Sequence, residues 1–206
     1  MADLNINNGQ IFLENRLINA CISIENGKII AICKEESLPA AHETIDASSK
    51  IVLPGGIDVH THLLDLVYSY RETFTTGTQA AASGGITTIF EMPLGIEGKT
   101  ALEAFDMQLN AMKHQCLVDY GIIGAAGHIS IDAISEFAHK GAIAFKTFMI
   151  DPSEEEAELK DLAAKNDYFL IKIFSEIAKT GLVSCVHAEN DAIIANEIER
   201  LTSIGK

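Results

Sequence analysis

At 206 residues the chain can form one large core, or a small domain followed by a larger one. Hydrophobic residues make up 48% and charged residues 21%, a globular composition and not a disordered one. Lys+Arg 15 against Asp+Glu 29 gives a net charge of −14, which argues against nucleic acid or an anionic membrane as partner, since both need a basic face.

Met1 to Gln10 is polar and lacks the basic start and apolar run of a secretory leader. No stretch approaches the roughly 20 apolar residues that span a bilayer. Cys21, Cys33, Cys116 and Cys185 form no Cys-x-x-Cys pair. Reduced thiols in a cytoplasmic protein are therefore expected.

From Leu4 to about Leu53 short alternating segments are divided by turn signals. Ile22 and Ile24, then Glu25-Asn26-Gly27, then Lys28 to Ile32 predict a hairpin, because Asn-Gly supplies the positive φ angles of a tight turn. Pro39 and the polar stretch from His42 to Lys50 supply a last loop and strand. This region reads as a small β-sheet domain, or half of one.

From Pro54 onward the rhythm becomes strand, helix, strand, helix. Predicted strands are Ile57–Leu63, Ile86–Met92, Leu117–Ile123, Ala142–Phe148 and Leu182–His187. Predicted helices are Thr73–Ser83, Thr100–Lys113, Ser130–His139, a long helical region from Pro152 to Lys179 that divides into two, and Asn190 to about Thr202. Gly84-Gly85, Gly141 and Gly181 stand where helices stop, and Asp151-Pro152 before three glutamates reads as a capped helix start. Apolar strands alternating with helices imply a parallel sheet buried on both faces. Five β/α units are too few to close an eight-stranded barrel, which typically takes about 250 residues.

Three segments carry candidate chemistry. In Pro54-Gly55-Gly56-Ile57-Asp58-Val59-His60-Thr61-His62 the two-residue period of a strand puts Asp58, His60 and His62 on one face. Two imidazoles on one face at a strand's C-terminal end can hold a metal ion, although a surface strand can also carry His-x-His by chance. Asp58 is either a partner that orients one of the histidines, the reading preferred here, or a turn residue. Lys146, in Ala142-Ile143-Ala144-Phe145-Lys146-Thr147-Phe148, shares a face with Ala142 and Ala144. A lysine there either snorkels to the strand end or is buried, and a buried neutral amine can take up carbon dioxide as a carbamate. His187 ends the apolar strand before Ala188-Glu189-Asn190, where it can be a ligand or a packed core residue. Cys185 reads as packing. No Gly-x-Gly-x-x-Gly, Walker-type loop or Gly-x-Ser-x-Gly elbow is present, so nucleotide binding and serine hydrolysis have no support.

Taken in order, these segments resemble the dihydroorotase, allantoinase and hydantoinase branch of the amidohydrolases. Pro54 to His62 is similar to the strand-1 metal motif. Thr76 to Thr88 and Glu91-Met92-Pro93-Leu94 are similar to the first helix and second strand, with Met-Pro-Leu leaning toward allantoinase. Phe145-Lys146-Thr147-Phe148-Met149 resembles the carbamylated-lysine strand and Val186-His187-Ala188-Glu189-Asn190 the strand-5 histidine motif.

The resemblance implies the first five units of a (β/α)8 barrel over 54–206, preceded by part of a small β-sandwich over 1–53. It implies two divalent metal ions, zinc expected, that activate a hydroxide to attack the carbonyl of a cyclic amide. His60 and His62 would bind the first ion, a carbon dioxide adduct on Lys146 would bridge the two, and His187 would bind the second. The family's later ligands, a histidine on strand 6 and a proton-shuttling aspartate on strand 8, have no position in these 206 residues, so little hydrolysis is expected of them alone. Unpaired edges at Ile57–Leu63 and Leu182–His187 predict self-association, and full-length relatives imply a homo-oligomer. The other reading is a non-catalytic scaffold on the same fold.

The resemblance implies a small cyclic amide as substrate, and the motifs leave its identity open. Leu64 stands where dihydroorotases carry an arginine, Leu94 where they carry asparagine, Gly95 where allantoinases carry asparagine, and Asp151 where hydantoinases carry tyrosine. Arg71 is a candidate cation from the following loop. His42, His114, His128 and His139 receive no role, with His128 the one nearest a functional loop.

Overall fold

The computed structural model describes residues 1–152 and 159–206. The chain divides into two compact units, Met1–Gly55 and Gly56–Lys206. In the first, β1 (Ala2–Asn7), β4 (Cys21–Glu25), β5 (Lys28–Cys33) and β6 (Ala41–Asp46) form one sheet in the order β5-β4-β1-β6. A second sheet joins β2 (Gln10–Leu13), β3 (Arg16–Asn19) and β7 (Ile51–Val52) in the order β3-β2-β7. The predicted hairpin is β4–β5, with Asn26 at φ 51° and Gly27 at φ 71°, the paired positive angles that the Asn-Gly dipeptide tolerates. The stretch from His42 to Lys50 is strand only as far as Asp46, in β6, and β7 follows beyond it, because Asp46 turns the chain: its Oδ1 accepts from the Ser48 N–H, the Ser48 hydroxyl and the Asn8 side chain.

The second unit carries a five-stranded parallel sheet in the order β12-β11-β10-β9-β8: β8 (Gly56–Thr61), β9 (Ile86–Glu91), β10 (Asp119–Ala125), β11 (Ala144–Phe148) and β12 (Val183–His187). Helices α1 (Phe74–Ser83), α2 (Ala101–Gln115), α3 (Ile134–His139), α4 (Asp167–Thr180) and α5 (Asp191–Ser203) follow the strands in turn. Thr73 and Thr100 cap α1 and α2, each in a reciprocal capping box, which is why both helices start where an oxygen-bearing side chain precedes the apolar run.

Phe74, Ile89, Phe105, Phe137, Phe145 and Ile173 belong to one core, the sheet's helix-covered side. Met92, Ile123 and Ala144 form a smaller cluster on the other face. Burial on both faces, expected of every strand, fails at the two ends of the sheet: Ile57 and Val59 on β8 are each 59% exposed and Val183 on β12 is 66% exposed, as edge strands lack a neighbour on one side. Two helix expectations also change. Ser130–His139 begins as a 3-10 turn at Ile131–Ala133 before α3. The region from Pro152 to Lys179 yields α4 only from Asp167; the helix start proposed at Asp151-Pro152 runs into 153–158, outside the described residues, and Ala163 bridges in parallel to Phe148 where helix was expected.

Candidate functional site

The site builds from the ends of β8, β9 and β11. Pairing of β8 with β9 slips near its end: Asp58 faces Ile89 and Thr61 faces Glu91, three residues of one strand against two of the other. Within and just past this slip, His60 and His62 converge, with their Nε2 atoms 3.2 Å apart and ring centroids 5.2 Å apart. Two imidazole nitrogens sharing a tetrahedral ion at roughly 2.0–2.1 Å stand about 3.3–3.4 Å from each other, so the spacing fits a shared metal as well as an N–H···N bond. Asp58 does not orient either ring; its Oδ1 accepts the His60 backbone N–H at 3.1 Å, the contact of a turn residue.

Lys146 lies on β11 with 5% of its surface exposed. Its neighbour Phe145 packs among the helices, and alternation turns Lys146 to the opposite face, beside Ala144. Ala142 does not share that face as expected, because it precedes the strand and joins the helix-side core. The Lys146 Nζ lies 5.0 Å from the Phe148 ring centroid, and among the described residues no carboxylate reaches it as an ion pair. His62, Leu64, Tyr68, Leu94, Lys146 and Phe148 contribute to the lining of one cavity of about 180 Å³. Partial burial of the His62 imidazole, with His60 and Lys146 close by, holds its pKa below the usual histidine value.

His187, the last residue of β12, pairs with Phe148, as Cys185 pairs with Lys146, so parity puts all four on one face. Its ring stacks on Phe148 at 4.9 Å between centroids, and its Nε2 lies 3.7 Å from Glu189 Oε2. It does not close with His60 and His62 into a compact donor set; among the described residues no three His, Cys, Asp or Glu gather as a metal site. Arg71 lies outside the cavity lining, stacked over Tyr68 at 4.5 Å and donating from Nε to the Tyr70 hydroxyl at 3.0 Å. His128 is tied through Nδ1 to the Ala163 carbonyl at 2.9 Å and takes no part in the cavity. All four cysteines are free, and among the described residues no helix is long and apolar enough to cross a membrane.

Residues 51–203 match the amidohydrolase family. The chain belongs to that family. It is 35% identical over 197 residues to an allantoinase of Escherichia coli (strain K12 / DH10B), a match covering 95% of this chain and 43% of that protein. Among solved structures it resembles the L-hydantoinase (dihydropyrimidinase) from Arthrobacter aurescens, with a TM-score of 0.89 and 32% identity over 100% of this chain and 45% of the other. It also resembles the dihydropyrimidinase from Brevibacillus agri NCHU1002, with a TM-score of 0.81 and 27% identity over 100% of this chain and 44% of the other. The amidohydrolase chain thus spans under half the length of these relatives, and shares with the L-hydantoinase a mixed α/β fold with a curled parallel sheet.

Sequence reasoning passed over one buried group beside the site. Glu91, the last residue of β9, is 1% exposed. The signal was available: a glutamate ending the apolar strand Ile86–Phe90 is as costly to bury as Lys146. The cavity walls Tyr68 and Phe148 carried no comparable mark, since an aromatic in a loop or strand reads first as packing.

Proposed function

We propose that this amidohydrolase opens a cyclic amide of the allantoin, hydantoin or dihydroorotate kind by metal-dependent hydrolysis. Residues 54–206 then supply the first five units of a (β/α)8 barrel and 1–53 part of a β-sandwich, in a cytoplasmic homo-oligomer. The observation that carries the reading is the pair of imidazole nitrogens 3.2 Å apart beside a buried lysine that has no counter-ion among the described residues. His60 and His62 would hold one divalent ion, zinc expected. Lys146, as a carbamate formed with carbon dioxide, would exchange an uncompensated buried cation for an anionic oxygen donor, and His187 would hold a second ion. Such ions supply a Lewis acid and an activated water at neutral pH.

The remaining contribution of these residues is shape and dryness. Leu64, Leu94 and Phe148 present apolar walls, which exclude water from a small ring, while the Tyr68 side chain offers a hydroxyl. The 35% identity to an allantoinase and the likeness to hydantoinases support ring amides as the substrate class.

The test is to purify the whole protein with zinc and bicarbonate, count metals, locate any adduct by mass spectrometry and assay allantoin, hydantoin and dihydroorotate. About two ions per chain, a carbon dioxide adduct on Lys146 and ring opening are expected. Absence of metal, adduct and turnover would leave the scaffold reading.

A further inference from the structure

Glu91 works from behind the sheet. By alternation it shares the face of Ile89, on the helix side, whereas Phe90 and Met92 belong with the opposite cluster. It is absent from the cavity lining. Yet its hydrogen bonds go to the segment that carries the two histidines. The Thr61 hydroxyl, between His60 and His62, lies 2.7 Å from Oε2, and the N–H groups of Leu63 and Leu64 donate to Oε1 at 2.8 and 3.4 Å.

This bracing falls where ordinary structure gives out. The β8–β9 ladder slips between Asp58 and Thr61, and β8 ends at Thr61 with one further backbone bond, from the Met92 N–H to the Thr61 carbonyl at 2.9 Å. Leu64 then takes φ 58°, a left-handed conformation unfavourable for leucine that persists only where its surroundings enforce it. Gly77 of α1 admits the Leu63 side chain, since a Cβ there would overlap it, so the turn is held by packing as well as by hydrogen bonds.

We propose that Glu91 is a positioning residue for the His60/His62 pair, tying Thr61, Leu63 and Leu64 into one rigid turn that sets the imidazole separation. The inference rests on the metal reading above. An amide in place of the carboxyl can make the same bonds, its Nε2 donating to Thr61 and its Oε1 accepting from Leu63, whereas leucine can make none.

The test uses the whole protein, stripped of metal and titrated with zinc against a chromophoric chelator, with cobalt absorption as a second probe of ligand geometry. Wild type, Glu91→Gln, Glu91→Leu and Thr61→Val are compared, with circular dichroism and melting of the metal-free forms as the check on folding. Glu91→Gln is expected to keep zinc affinity within about threefold and an unchanged cobalt spectrum. Glu91→Leu should lose roughly 10–100-fold with an altered spectrum, as when a partner that orients a metal ligand is removed. Should Glu91→Leu fail to fold, Thr61→Val, nearly isosteric, decides: a weakened affinity supports the assignment. Wild-type affinity in a folded Glu91→Leu or Thr61→Val protein overturns it, as does a Glu91→Gln protein as weak as Glu91→Leu. A wild-type protein that binds no zinc sinks the metal reading itself and this inference with it, so the two failures are told apart by the wild-type arm.

Discussion

The two histidine-bearing strand ends of the sheet are built differently. At the end of β8, two imidazoles meet across 3.2 Å, and the turn behind them is fastened by a buried glutamate. At the end of β12, one half-exposed imidazole lies flat on Phe148 with a carboxylate 3.7 Å away. Both ends occupy the edges of the same sheet, so edge position alone does not order a side chain. Order comes from the hydrogen bonds that hold the backbone around it. Lys146, between them on β11, is held by burial within a paired strand.

That contrast can be broken first at Lys146, the position both ends share. In the whole protein Lys146→Met keeps the volume and removes the amine. On the proposed function the substitution removes a bridging ligand and several kcal/mol of charge stabilisation, so hydrolysis should fall by at least ~10²-fold. Melting temperature of the metal-free protein should stay level or rise, because methionine is an easier residue to bury than a lysine without a counter-ion. Equal losses of activity and stability would indicate a merely structural lysine.

The ends themselves are compared by His60→Ala and His187→Ala. His60→Ala removes half of the preorganised pair and should abolish tight binding of the first ion. His187→Ala should leave about one ion per chain, since His60 and His62 are arranged without it. Elemental analysis after dialysis measures both; identical metal losses would show that the two ends form a single cooperative site.

The sequence made the strands legible because five apolar runs alternate with capped helices, and it located His60, His62 and Lys146 because a charge or an imidazole in an apolar strand needs a reason. It was silent where a feature depends on register. The slip between Asp58 and Thr61 cannot be read from a period-two pattern, and it left Asp58 on the backbone of His60 and not on a ring. Glu91 and Lys146 offer the same kind of clue, but the partners of Glu91 lie about 30 residues earlier, across a strand pairing whose offset the pattern does not state.

Glu91 sharpens the comparison through pH. Burial pushes its carboxyl up to about 7, against the pull of hydrogen bonds from Thr61, Leu63 and Leu64. The folded state therefore favours the protonated acid, and this contribution is complete below about 4.5 and lost as pH rises through about 7. The difference in stability between wild type and Glu91→Gln, taken by denaturation of the metal-free protein across pH 4 to 8 (a range chosen to span roughly both values), should drift by on the order of 3 kcal/mol in favour of the variant. A flat difference would mean that folding leaves the Glu91 carboxyl at its ordinary value.

The smallest effect is expected one turn farther along. Asp65, 5% exposed, accepts from the Leu66 N–H, the Ser69 hydroxyl and the Phe74 N–H, and so fastens the loop after His62 to the start of α1. Burial alone would raise its pKa, but the bonds from Ser69, Phe74 and Leu66 outweigh it and hold the carboxyl below the usual aspartate value. Asp65→Asn keeps the size and weakens those bonds, so stability should fall by about 1–3 kcal/mol, with the loss shrinking at acid pH where the wild-type carboxyl is itself protonated. Because Asp65 fastens Leu66 and Phe74 and leaves Leu63 and Leu64 to Glu91, zinc affinity should move less than about threefold, well short of the change expected for Glu91→Leu. If Asp65→Asn weakened metal binding as much as Glu91→Leu, the whole loop would be acting as one clamp on the histidines, and the brace could not be assigned to Glu91 alone.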